Sequence, residues 1–189
     1  MPRGLAHDHA EKRARIRSGA AAYFARHGFD RASMTDVAQA CGVSKALLYH
    51  YHSSKEALLH DILDAHLSHL VDIARRAAPK GLRALITAVL MAYEDADAEH
   101  KLQLEALHLL PKDLHAPLVA LQRELVALMA GAVLGQRPDL DADRQRAAAM
   151  SVFGILNWVY MWHRPGKGMS RADYAAFAGD FVEGGLAKI

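Results

Sequence analysis

The 189-residue chain contains one cysteine, Cys41, which excludes an internal disulfide framework. No apolar run approaches the ~20 residues that a bilayer-spanning helix needs. The N-terminus is polar and charged and lacks the apolar core of a signal peptide. Strand-like alternation is absent, and so are internal repeats and low-complexity linkers. Catalytic signatures are missing too: there is no nucleophile elbow, no phosphate-cradling glycine loop and no compact metal set. The twelve histidines do not change this. His66 and His69 lie three apart, while His100, His108 and His115 are scattered, and none belongs to an HExxH or Cys/His cluster. These absences predict a soluble cytoplasmic protein that is not an enzyme and holds no metal or cofactor.

The chain does have an apolar content of 52%, ample for a buried core and contrary to disorder. Charge is unevenly spread. Residues 1–60 carry nine Lys/Arg against five Asp/Glu, and residues 61–189 carry 14 against 16. A basic first third followed by a mildly acidic remainder fits a nucleic-acid end and a regulatory end. Chance unevenness explains the charge alone equally well.

Ala and Leu dominate the periodic segments, so the predicted fold class is all-α with about nine helices. Helix one covers 8–27, with Ile16, Ala20 and Phe24 on its apolar stripe and Gly28 as C-cap. Helix two opens at Ser33 with Asp36 three residues on, a capping-box pattern. Gly42 frees the backbone for a turn, Val43 plugs the angle, and Ser44 caps helix three over 45–50. Ser53 or Ser54 caps helix four, 55–77, whose apolar side is Leu58, Ile62, Leu63, Leu67, Leu70, Val71 and Ala74. Pro79 stops it. Helix five covers 81–95, a loop spans the acidic stretch 94–99, helix six covers 100–110 and helix seven 114–134. Helix eight covers 143–162 and helix nine 170–186, separated by a break at Arg164-Pro165-Gly166-Lys167-Gly168. The expected domains are a three-helix helix-turn-helix unit, 1–54, and a helical bundle, 55–189, for ligand binding and dimerisation.

Two short helices joined by Cys41-Gly42-Val43-Ser44 are the punctuation of a helix-turn-helix. A helix entering the major groove needs a short polar cap and side chains that reach base edges or phosphates. Helix three offers Ser44, Lys45, Tyr49 and His50 outward and turns Leu48 inward. Thr35 and Lys55 are placed for phosphates, and Tyr51 and His52 close the helix. Cys41 faces the helix-two core, an inert position for a thiol.

The run Ala38-Gln39-Ala40-Cys41-Gly42-Val43-Ser44-Lys45-Ala46-Leu47-Leu48-Tyr49-His50-Tyr51-His52-Ser53-Ser54-Lys55-Glu56-Ala57-Leu58-Leu59 resembles the signature of the tetracycline-repressor family of bacterial regulators. Ile16, Ala20, Phe24, Gly28, Phe29 and Thr35 match that family's upstream pattern. The resemblance implies a homodimer with two reading heads and an effector-binding bundle. By the same resemblance Lys45, Ala46 and Tyr49 read bases, and Thr35, Tyr51 and Lys55 contact phosphate. Two positions depart from the pattern. Leu47 stands where a small polar residue is common; it either packs on sugar or a thymine methyl, or turns away. His52 stands where Phe or another apolar residue is usual, and must find a partner or stay near solvent.

The second informative stretch is Phe153-Gly154-Ile155-Leu156-Asn157-Trp158-Val159-Tyr160-Met161-Trp162-His163-Arg164-Pro165-Gly166. It resembles the penultimate helix of family members that respond to acyl-coenzyme A thioesters or related acids. Asn157 needs a hydrogen-bond partner, which a ligand, the backbone or a neighbouring subunit can supply. The candidate ligand-binding set is Leu67, Leu70, Val89, Tyr93, Leu104, His108, Asn157, Trp158, Met161 and Trp162. Arg75, Arg76, Lys80, Arg83, Arg164 and Lys167 are candidates for a coenzyme A head group. Trp158 and Trp162 either line the pocket or fill a dimer interface built from helices eight and nine.

The expected activity is that of a dimeric, ligand-responsive repressor bound to palindromic double-stranded operator DNA and released by a small apolar or acyl-coenzyme A-type effector. An aromatic or drug-like effector, or activation in place of repression, is the alternative within the class. A helical adaptor would explain the bundle but not the basic, capped helix-turn-helix.

Overall fold

The computed structural model describes residues 3–164 and 166–189, with side chains from residue 9 onward. Pro165, part of the expected break, lies outside the described residues. Among those described, nine helices of seven residues or more form: α1 Arg3–His27, α2 Met34–Ala40, α3 Lys45–Tyr51, α4 Lys55–Ala77, α5 Leu82–Ala92, α6 Asp97–Glu105, α7 Lys112–Gln136, α8 Ala142–Asn157 and α10 Arg171–Leu186. A single turn, α9 Val159–Trp162, follows α8, and 3-10 turns occupy Ala78–Lys80 and Leu107–Leu109. The all-α class is as expected.

The chain divides into two compact units. The first comprises Met1–His66 with Ala98–Leu118. Its core gathers Ile16, Ala20 and Phe24 of α1, Val37 and Ala38 of α2, Leu48 of α3 and Leu58, Leu59 and Ile62 of α4. Each such Leu, Ile or Phe withdrawn from water stabilises by roughly 1.5–3 kcal/mol. Local chemistry sets the boundaries. The Asp36 amide donates to Ser33 Oγ at 3.2 Å and the Ser33 amide to Asp36 Oδ2 at 3.3 Å, so the capping box is closed in both directions. Gly42 adopts φ +65°, where a Cβ is unfavourable, and lets the Val43 amide reach back to Ala38 O at 3.0 Å. Gly19 lets α1 approach α2, since a Cβ there would lie 2.9 Å from Cys41 Sγ.

The second unit comprises Leu67–Asp97 with Val119–Ile189. Here α5 packs chiefly on α10. Leu82, Leu85, Ile86, Val89 and Leu90 are buried from α5, and Ala175, Ala178, Gly179 and Val182 from α10. The small residues on α10 permit the close approach. Every residue of the predicted apolar side of helix four is buried, on whichever unit it falls.

Several boundaries differ from expectation. Helix one begins five residues earlier, at Arg3. The acidic stretch is not wholly a loop, because Asp97 and Glu99 stand at the start of α6, where carboxylates suit the positive end of the helix dipole. Helix six ends at Glu105 and gives way to a 3-10 turn. Leu110 precedes proline and is extended, with ψ 144°. Helix eight does not reach Trp162. It ends at Asn157, a residue of low helix propensity whose side chain is engaged elsewhere. The expectation that no segment could match a bilayer also needs correction, since α7 is long and apolar enough to cross a membrane by length and composition. It nevertheless carries Pro117 inside the helix and Glu124, which accepts two hydrogen bonds from the Arg75 guanidinium at 2.6 and 3.0 Å.

Candidate functional site

In the first unit, α2 and α3 meet across the Gly42 turn. The Ser44 side chain accepts from the Leu47 amide at 3.1 Å and so begins α3. Leu48 is fully buried and anchors the helix, which leaves Ser44, Lys45, Ala46, Tyr49 and His50 exposed together on its outer side. Thr35 is exposed on α2, while Leu47 and Tyr51 are half-buried. The Lys45 ammonium stands 6.0 Å from the Tyr49 ring centre. Lys55 is engaged within the chain. Its ammonium donates to Phe29 O at 2.9 Å and Asp30 O at 3.3 Å and lies 4.4 Å from the Phe29 ring centre.

His52 is 4% exposed and finds its partner in Asp61 on α4: Nε2 donates to Oδ2 at 2.9 Å. Arg13 donates to the same carboxylate from Nε at 3.0 Å and Nη2 at 2.6 Å, and Arg17 stands at 3.7 Å. Burial alone would raise the Asp61 pKa. The hydrogen bonds from His52 and Arg13, with the charges of Arg13 and Arg17, bring it down to about 2. α1, α4 and the residue that ends α3 therefore meet on one ionised carboxylate. Burial pushes the Cys41 thiol up, and Sγ contacts Ile16 O at 3.6 Å.

In the second unit the Tyr93 hydroxyl donates to Asn157 Oδ1 at 3.1 Å, so a side chain of this chain meets the Asn157 requirement. Tyr93 is buried, which drives its phenol well above the ordinary range. Leu67, Leu70 and Val89 are buried in the same unit. Trp158, Met161 and Trp162 are not: they are 61%, 46% and 46% exposed. Trp158 and Trp162 border a groove of about 380 Å³ with Tyr174, Phe177 and Phe181, and the Trp162 and Tyr174 rings meet edge-on at 4.9 Å. Leu104 and His108 belong to the first unit, where both are exposed.

The basic residues have separate fates. Arg75 is paired with Glu124, and Arg83 with Asp180 and Glu183. Lys80 and Arg83 border a cavity of about 680 Å³ whose wall from α7 includes Gly131 and Gly135. Arg76 is exposed at the end of α4, and Arg164 and Lys167 pair through their backbones. Among the described residues, no three His, Cys, Asp or Glu side chains gather as metal ligands.

Sequence reasoning missed three features. The Arg13–Asp61–His52 network joins residues 48 and 9 positions apart, separations that no local pattern encodes. His9, four turns before Phe24 on α1, brings its ring to 4.6 Å from Tyr51 and 6.4 Å from His50. His9 already lies within the expected helix one, but no local pattern pairs it with Tyr51. The exposed Phe177 and Phe181 had a readable signal, two aromatics four apart on one helix face.

A capped helix-turn-helix carried by an all-helical chain has the geometry of DNA-binding transcriptional regulators. Residues 16–62 match the model of bacterial regulatory proteins of the tetR family, and residues 77–186 match a tetracyclin repressor-like C-terminal domain. The chain belongs to the tetracycline-repressor family, whose members are DNA-binding regulators and not enzymes. It is 32% identical to the HTH-type transcriptional repressor KstR2 of Rhodococcus jostii (strain RHA1), over 78% of this chain and 77% of that protein. A TetR-family transcriptional regulator from Bordetella parapertussis 12822 superposes with a TM-score of 0.85 at 33% identity, covering 90% of this chain and 93% of the other. AibR, crystallised with isovaleryl coenzyme A and operator DNA, shares the fold with a TM-score of 0.79 at 21% identity, over 90% and 97% of the two chains.

Proposed function

We propose that this protein is a cytoplasmic homodimeric repressor that binds a palindromic operator and releases it when an apolar or acyl-coenzyme A-type effector binds. Residues 1–54 serve as the reading head and residues 55–189 as the effector and dimerisation domain. The observation that carries this reading is the outer side of α3, where Ser44, Lys45, Ala46, Tyr49 and His50 are exposed together behind a serine cap. Leu47 adds an apolar contact, and Thr35, Tyr51 and Lys55 serve the phosphate backbone, Lys55 by holding the loop after α1.

Pairing through α8 and α10 is supported by the large apolar side chains they leave in water, Met150, Phe177 and Phe181 among them. Two heads would then meet successive major grooves about 34–36 Å apart. Effector binding near Tyr93 and Asn157 would favour a conformer in which α4 no longer holds that spacing. The repressor activity of KstR2 and the isovaleryl coenzyme A bound by AibR favour repression and a thioester effector. The groove bounded by Trp158, Trp162, Tyr174, Phe177 and Phe181 favours the second reading, a planar aromatic ligand.

A gel-shift assay on the palindromic DNA flanking the gene tests the proposal, with and without acyl-coenzyme A species of graded length. Specific binding relieved by one of them is expected. An absence of specific binding at moderate salt would overturn it.

A further inference from the structure

Arg171, the first residue of α10, is 2% exposed and is the one buried Lys or Arg among the described residues. Its Nη2 donates to the Asp97 carboxylate at 3.2 and 3.4 Å. Nε and Nη1 are buried and have no acceptor. A guanidinium is a flat fork with a side-on edge, Nε with Nη2, and an end-on edge, Nη1 with Nη2. Each edge therefore keeps one open nitrogen. Asp97 is a weak sole partner, because its own side chain is 45% exposed and its contacts are long for a charge-assisted bond. His163 holds the segment that leads into Arg171, with Nε2 donating to Met169 O at 3.1 Å. The fork is thus held in place by the fold while its bonding is incomplete. Buried donors left without acceptors are costly, and an incoming pair of anionic oxygens would remove that cost.

We infer that Arg171 is the receptor for a pair of anionic oxygens on a small ligand, and on the proposed effector reading these are supplied by the carboxylate of a free acid or by a phosphate of its coenzyme A thioester. The anion site stands on Arg171 itself. Its link to DNA release rests on the proposed effector role of residues 55–189. Asp97 competes for Nη2 and weakens the site.

Calorimetric titration of the full chain with octanoate, octanoyl-coenzyme A, coenzyme A and 1-octanol at fixed ionic strength tests this. Wild type should bind octanoate or octanoyl-coenzyme A on the order of tenfold or more tighter than octanol, the worth of one charge-assisted hydrogen bond. Octanoate binding without coenzyme A binding assigns the carboxylate, and competition by coenzyme A alone assigns the phosphate. Arg171→Met, which keeps the volume, should lose the preference while its circular dichroism stays helical. Asp97→Asn should tighten the anion, whereas loss of a merely structural pair would weaken it; this variant decides the matter even where Arg171→Met does not fold. Equal affinities in wild type and Arg171→Met, no anion binding by wild type, or weaker binding by Asp97→Asn would overturn the inference. A parallel gel shift separates it from the effector reading. Arg171-dependent octanoate binding without DNA release sinks only that reading, and DNA release by octanol in both proteins sinks only the anion site.

Discussion

His52 Nε2 and Asp61 Oδ2 stand 2.9 Å apart, which joins the residue that ends α3 to the second turn of α4. Asp61 also receives Arg13, so its charge holds three helices in register. Asp61→Asn should lower stability at neutral pH by about 1–3 kcal/mol and weaken operator binding. The sign of the pH effect follows from the lowered pKa, about 2 against 3.8. The stabilisation is fully present above pH ~4 and is lost as pH falls through ~2. Urea midpoints measured across that interval should fall steeply for wild type and less for the variant.

Gly19 faces Cys41 at a separation that leaves no room for a methyl group, since the added Cβ would sit 2.9 Å from Sγ. Gly19→Ala should therefore destabilise the head by about 1–3 kcal/mol through overpacking, despite alanine's better helix propensity. Cys41→Ala in the same chain should restore most of the loss. Additive losses in the double variant would contradict the contact as the cause.

Lys45 and Lys55 both carry charge on or beside α3, but their surroundings differ. Lys45 is exposed, and Lys55 is spent on the Phe29 and Asp30 carbonyls. Lys45→Ala should reduce the slope of log affinity against log salt by about one. Lys55→Ala should leave that slope nearer the wild-type value and lower the melting temperature. Equal changes of slope would show that Lys55 reaches phosphate directly.

Phe181 is 63% exposed on α10 beside Phe177, with ring centres 6.3 Å apart. On the proposed pairing through α8 and α10, Phe181→Glu should convert a dimer into a monomer in sedimentation and lower operator affinity at least tenfold, because the second head is lost. A wild-type midpoint that rises with protein concentration would accompany this.

The head was legible because its signals are short-range. Ser33 with Asp36, Gly42 and Ser44 each act within four residues, and their geometry is as read. The apolar sides of α4 and α5 were legible from period alone. Periodicity says which residues share a face but not what covers it. Leu67, Leu70, Val89 and Tyr93 therefore emerged as buried, whereas Trp158, Met161 and Trp162 of the same candidate set lie in water. The partners of His52 and Arg171 lie 9 and 74 residues away. Only tertiary packing brings such pairs together. The break after Asn157 had a local cause, but the aromatic run around it masked the signal.

Cys41, the chain's single thiol, sits half-buried where α2 leans on α1, with Sγ toward Ile16 O. A thiol held up in pKa by burial reacts slowly while the helices stay together and quickly once they part. The native chain thus carries its own chemical clock. The rate at which a maleimide labels it, read with and without DNA, measures how often the head opens, without a dye or an engineered residue.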